Sequence, residues 1–152
     1  MNSSVEELAK SILSARRKGL FRTKRIFEPY STPNSDDLRR IEAALPIPLP
    51  NELRTWLLLA GFGDIGEELS FREEWFAAIE SGPLRGSTRF AQDILGNFYA
   101  FDLSGSIYYI CRSEPKFAPL SNSFFEFIDE LVRRDYHIVE WVSALDSQPY
   151  EW

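Results

Sequence analysis

Residues 90–110, FAQDILGNFYAFDLSGSIYYI, constrain this chain more than any other stretch. Two bulky runs, Phe98-Tyr99-Ala100-Phe101 and Ile107-Tyr108-Tyr109-Ile110, are set off by the turn-forming clusters Leu95-Gly96-Asn97 and Leu103-Ser104-Gly105-Ser106. Glycine and asparagine accept the positive φ that a tight reversal demands and a β-branched residue resists. The runs are large on both parities, so they predict an antiparallel meander with something to cover on each sheet face. Nothing in the stretch resembles a nucleophile–base pair or a metal cluster. It points to a binding scaffold.

Helical signals flank the meander. Val5, Leu8, Ile12 and Ala15 follow a buried-face rhythm that predicts a helix over 4–19, capped by Ser3 or Ser4 and stopped by Gly19. Segment 20–34, with Pro29 and Pro33, reads as a loop or irregular arm. Asn34-Ser35-Asp36-Asp37 opens a second helix with the stripe Leu38, Ile41 and Leu45. The prolines of 46–50 break it, and Pro50 begins a third helix, with Leu53, Trp56, Leu57 and Ala60 turned inward and Gly61 as its stop. A further helix is expected over 72–80, presenting Trp75, Phe76 and Ile79. Pro115 and Pro119 bracket the short extended piece Lys116-Phe117-Ala118. Ser121 or Ser123 caps a last helix whose inner face is Phe124, Phe127, Ile128 and Leu131. Part of the tail 136–152, which holds Trp141, Tyr150 and Trp152, docks on the body. No internal repeat is expected.

The chain is 44% hydrophobic and 14% aromatic over 152 residues, enough for one packed domain spanning 1–152. The start, MNSSVEELAK, lacks the basic and apolar regions of a secretory signal, and no apolar run is long enough to span a bilayer. A single cysteine, Cys111, excludes an intrachain disulfide, so a cytoplasmic location is expected. Net charge is −6, unevenly spread: residues 1–27 hold seven basic groups against Glu6 and Glu7, while the remainder is strongly acidic. An acidic body repels phosphate backbones and attracts a basic partner. The basic segment Arg16–Arg25 interleaves Leu20 and Phe21, but Pro29 and the acidic body weigh against a nucleic-acid surface.

Candidate chemistry fails on context. Gly61-Phe62-Gly63-Asp64-Ile65-Gly66 has the spacing of a dinucleotide loop, but a helix precedes it, and Asp64, Glu67 and Glu68 lie where phosphate would sit. It reads as a helix stop and loop. His137, the only histidine, stands beside Asp135 without an identifiable nucleophile, and one His with one Cys makes a poor zinc set. No catalytic residue, metal or cofactor is expected. Glu67-Glu68 and Glu73-Glu74 are adjacent pairs whose side chains diverge, so they do not form a two-carboxylate cleft. With Asp64 and Glu80 they form an acidic patch against the single Arg72.

Three segments resemble one family in order. Leu49-Pro50-Asn51-Glu52-Leu53-Arg54-Thr55-Trp56-Leu57 is similar to the helix start of the SUKH superfamily. Phe90-Ala91-Gln92-Asp93-Ile94-Leu95-Gly96-Asn97-Phe98-Tyr99-Ala100-Phe101-Asp102 resembles its hairpin, and Phe124–Leu131 its closing helix. The resemblance covers roughly 35–132; the first thirty or so residues are not explained by it, and loop 61–88 departs from it. It implies an α+β domain: a twisted, largely antiparallel sheet of about four to six strands, with N-terminal helices and a C-terminal helix packed on it. It also implies a non-enzymatic protein-binding role. In bacteria this is an immunity protein that neutralises a cognate toxin, such as a nuclease; in fungi it is a regulatory or scaffolding module. A basic toxin domain is the expected partner, with no nucleic acid and no membrane. Asp64, Glu67, Glu68, Glu73 and Glu74 would then steer the encounter and Trp75 anchor it. Asp93, Gly96 and Asn97 match motif positions and are expected to set turn geometry.

Overall fold

The computed structural model describes residues 3–18 and 22–152. Helix α1 (Ser3–Ser14) leads into a two-stranded ribbon, β1 (Arg16–Lys18) and β2 (Thr23–Arg25). Strand β3 (Phe27–Ser31) precedes helices α2 (Ser35–Ala43) and α3 (Asn51–Leu59). Next come β4 (Phe62–Ile65), β5 (Leu69–Phe71), a 3₁₀ turn (Glu73–Trp75), β6 (Ala77–Ala78) and the meander β7 (Thr88–Asp93), β8 (Phe98–Phe101) and β9 (Ile107–Ile110). The chain closes with β10 (Lys116–Ser121), α4 (Phe124–Arg133), α5 (Ile138–Ser143) and β11 (Gln148–Pro149). The class is α+β, as expected, but the sheet is larger. Nine strands pair antiparallel in the order β11-β10-β9-β8-β7-β5-β4-β3, with β6 beside β7.

One face of the sheet is committed by aromatic packing. Phe90 on β7 meets Phe71 from β5, Phe101 from β8, and Phe124 and Phe127 from α4, all with ring centroids within 6.2 Å. Trp56 of α3 extends this layer to Phe27, Phe71 and Phe124. Burying such a layer is the largest favourable term available to a chain of this size, so the helices sit here. The opposite face divides in two. Across β8, β9 and β10 it is apolar, and Ile79, Leu84 and Tyr150 cover Ala100, Ile110 and Phe117. Across β3, β4 and β5 it is polar and bare. One cross-strand row shows the change: Glu28, Asp64, Ser70, Gln92, Phe98, Ile110 and Phe117 are successive partners.

Several elements differ from expectation. Helix α1 ends at Ser14, five residues early. The Arg16 guanidinium donates to the carbonyls of Leu13 and Ala15, and Ile26 N–H takes the Ala15 carbonyl, which draws the chain into the ribbon. Ser3 and Ser4, expected as caps, lie within the first turn of α1 instead, because the helix already begins at Ser3; the stop at Gly19, and Leu20 and Phe21, lie outside the described residues. The expected loop 20–34 contains β2 and β3, because fully buried Phe27 packs edge-on to Trp56 at 5.8 Å. Pro29 is tolerated because β3 is an edge strand. The glycine-rich 61–66 segment holds strand β4 rather than a loop. A Cβ at Gly63 would stand 2.4 Å from the Glu28 carbonyl, so glycine permits the close β3–β4 approach. The helix expected over 72–80 is one 3₁₀ turn, since Ala77 and Ala78 pair with Arg89 and Thr88 on β7.

An internal repeat, not expected from the sequence, sets both meander turns. Asp93-Ile94-Leu95-Gly96-Asn97-Phe98-Tyr99 and Asp102-Leu103-Ser104-Gly105-Ser106-Ile107-Tyr108 share the pattern D-x-x-G-x-x-Y. In each, Oδ1 of the aspartate accepts backbone N–H groups two and four residues on, and Oδ2 accepts the hydroxyl of the tyrosine six residues on. The glycines take φ of +83° and +88°. Phe90→Ala should cost about 4 kcal/mol in chemical denaturation, the loss of a large buried ring plus a cavity.

Candidate functional site

A shallow hollow of about 230 Å³ opens where the polar half of the bare face meets the β7–β8 turn. Tyr30, Asp64, Glu67, Arg72, Trp75 and Ile94 form its walls. At its floor the Ser70 hydroxyl oxygen is buried without a hydrogen-bond partner among the described residues. Strand alternation explains the lining. Ser70 faces out between buried Leu69 and Phe71, and Asp64 faces out between buried Gly63 and Ile65. Arg72 lies between two aromatic faces, its guanidinium carbon 4.7 Å from the Tyr30 centroid and 5.1 Å from that of Trp75. It also donates to the Tyr30 hydroxyl at 3.2 Å. This stack fixes a tyrosine and a tryptophan as rigid flanking plates.

The acidic residues singled out from sequence fall into four positions. Asp64 and Glu73 face solvent with no cation partner among the described residues, and Asp64 is paired directly across from Glu28. Like charges opposed across a strand pair cost stability unless something else compensates. Glu67 lies 3.8 Å from Lys24 of the ribbon, and Glu74 lies 3.9 Å from Arg72; both pairs are exposed and weak. Glu68 serves the fold. Its Oε1 accepts the Val139 N–H at the start of α5, and its Oε2 is 3.1 Å from His137 Nδ1. Glu80 lies elsewhere, beside a groove on the apolar half. Trp75 stands in the hollow. Tyr30, Arg72, Ile94 and Glu28 were missed by sequence reasoning, because Tyr30 and Arg72 meet across 42 residues of chain. The signal available in the sequence was the apolar pair Ile94-Leu95 within a turn-forming cluster, and both side chains are exposed in the structure.

Asp93 ties the β7–β8 turn to this wall. Besides its backbone bonds, its Oδ2 accepts from the Asn97 amide at 3.0 Å and the Tyr99 hydroxyl at 2.7 Å, and the Asn97 side-chain oxygen accepts the Arg112 N–H. Gly96 faces the Arg112 side chain so closely that a Cβ would lie 2.8 Å away. Ile94 N–H donates to the Glu68 carbonyl, which locks the tip beside the hollow.

His137 also neighbours Asp135, at 3.7 Å through Nε2, so both ring nitrogens face carboxylates. No hydroxyl or thiol lies within hydrogen-bond distance of it among the described residues. Among those residues no group of three or more His, Cys, Asp or Glu is placed to hold a metal ion. No helix of the described residues is long and apolar enough to cross a membrane. The basic ribbon has two faces. Arg17 reaches Asp135 and Lys24 reaches Glu67, while Arg16, Lys18 and Arg25 face away.

The model of the SMI1 / KNR4 family (SUKH-1) matches residues 32–130. The chain belongs to this family. No curated protein and no solved structure was found to match the chain. In this SUKH-1 chain the matched region runs from just after β3 into α4, and so contains Asp64, Glu67, Glu68, Trp75 and both meander turns. Helix α1, the ribbon, β3 with Glu28 and Tyr30, α5 and the tail lie outside it.

Asp93→Ala should cost about 3 kcal/mol, since it strands four donors in a buried turn; Asp102→Ala, at the more open turn, should cost about 1 kcal/mol. Burial, with the neighbouring Asp93 charge second, pushes the Tyr99 phenol well above its ordinary value. The folded state therefore holds that proton after the unfolded chain has released it. The Tyr99 contribution to stability should be constant below pH about 10 and be lost as pH rises beyond, so stability should fall less steeply there in Tyr99→Phe, as read from urea midpoints.

Proposed function

We propose that this SUKH-1 chain is a non-enzymatic immunity-type protein, acting in the cytoplasm, that docks a basic toxin domain over the hollow between Tyr30, Trp75 and Ile94. The observation that carries the reading is the opposed pair Glu28 and Asp64 on a bare sheet face, with Glu73 nearby, all lacking a cation partner among the described residues. A cationic partner converts that repulsion into attraction and speeds encounter. Tyr30, Trp75 and Arg72 are the residue types that dominate interface energies, and the stack already holds them in place, so little side-chain entropy is lost on docking. Exposed Ile94 and Leu95 supply apolar contact beside them. Glu67 and Glu74 add field, and Glu68 holds the floor in position. Asp93, Gly96 and Asn97 act indirectly, by setting the turn that carries Ile94.

Co-expression with the toxin domain encoded beside the gene tests this reading. The chain should rescue growth, and the purified pair should associate rapidly at low salt. Reversing Glu28, Asp64 and Glu73 to lysine should lower the association rate about ten-fold or more and flatten its salt dependence. Tyr30→Ala and Trp75→Ala should instead speed dissociation. Unchanged rates in all of these variants would reject the hollow as the docking site. Absence of any neighbouring toxin would favour a regulatory interaction module instead.

A further inference from the structure

A second concavity, of about 460 Å³, lies on the apolar half of the same sheet face, beyond β7 from the acidic hollow. Its lining comes from Ala77, Ala78, Phe98, Ile110 and Trp152, with Arg89 rising from the floor. The space exists because β6 presents only methyl groups beside β7, where larger side chains would fill it. Tyr150 supports Trp152 from behind. It is buried, donates its hydroxyl to the Ser81 carbonyl at 2.7 Å, and meets Trp152 with ring centroids 4.4 Å apart and planes tilted by 52°. Trp152 is left 72% exposed over the groove.

Arg89 is anomalous here. Its guanidinium lies over the Phe98 ring, 4.8 Å from the centroid, so it is held in place. Its Nε is buried with no hydrogen-bond partner, and it makes no ion pair among the described residues. A half-buried, oriented guanidinium without an anion calls for a carboxylate. The walls around it call for an apolar body. Because Trp152 is open to solvent, an occupant keeps one side in water, whereas sites for free small molecules engulf most of the ligand. A segment of a larger partner fits that geometry.

We propose that this groove binds an extended segment of a partner protein carrying an aromatic or large aliphatic residue and, two positions away, an acidic one. In an extended chain residues two apart share a face, so the apolar side chain seats between Phe98, Ile110 and Trp152 while the carboxylate meets Arg89. The nearby Glu80 opposes it and selects against additional negative charge. This site is independent of the acidic hollow, so either reading can fail alone.

The test is NMR titration of the full chain with an N-acetylated, C-amidated hexapeptide containing Phe-Ser-Glu, read at the Trp152 indole and Arg89 Nε protons. Saturable shifts are expected, weakened about ten-fold when glutamine replaces the peptide's glutamate, and as much in Arg89→Gln. Arg89→Lys should retain part of the affinity, which separates charge loss from misfolding, and Glu80→Gln should tighten binding. Asp64→Lys with Glu73→Lys should leave it unchanged. The proposal is overturned if the glutamine peptide binds equally, if no saturable shift arises by about 5 mM, or if 3-phenylpropionate matches the peptide, which would make the groove a small-acid site.

Discussion

Phe90 is the contact on which the rest of the structure depends. Its ring touches aromatic rings from both neighbouring strands of the sheet and from α4, so one side chain joins β5, β7, β8 and the helix layer. Because aromatic burial is non-directional in sequence but demanding in shape, this layer decides which sheet face the helices cover. The other face is thereby left for the short 76–87 connection, the tail and solvent. That residual face carries both concavities described above.

A single row of cross-strand partners records how that face is used. It runs from the opposed acids Glu28 and Asp64, through Ser70 and Gln92, to Phe98, Ile110 and Phe117. The apolar end is covered in part by Tyr150 and Leu84, which stabilises it in the free chain. The acidic end has no such cover, and its like-charge pairing works against folding. A sheet can keep such a region because the aromatic layer beneath supplies stability in excess. Glu68 shows the two demands meeting: it belongs to the acidic run, yet its carboxylate is spent fastening α5.

The sequence was readable where the signal was local. The meander, the Asn34–Asp37 capping box of α2, the Ser123 cap of α4 and the inner faces of three helices follow from adjacent residues. Strands β3 and β4 were not legible, since FEPYS carries a proline and FGDI a glycine; β3 is held by Trp56 packing on Phe27, and β4 by pairing with β3 and β5. The stretch 72–80 begins with helix formers, but pairing with β7 overrode that preference. In the hollow, the acids could be counted in the sequence, whereas the Tyr30–Arg72–Trp75 stack depends on the β3–β4–β5 order and could not. The D-x-x-G-x-x-Y repeat was present in the letters. It was hidden because only its first copy coincides with the family-like motif.

The central proposition is that binding happens on the bare end of the sheet, with the helix layer acting only as support. Hydrogen–deuterium exchange of the chain, free and saturated with its toxin partner, addresses this most directly. A docking role for the hollow predicts slowed exchange concentrated in residues 28–31, 63–75 and 93–97, with α2 and α3 unchanged. Protection confined to the outer faces of α2 and α3, with those three segments exchanging as in the free chain, would contradict it.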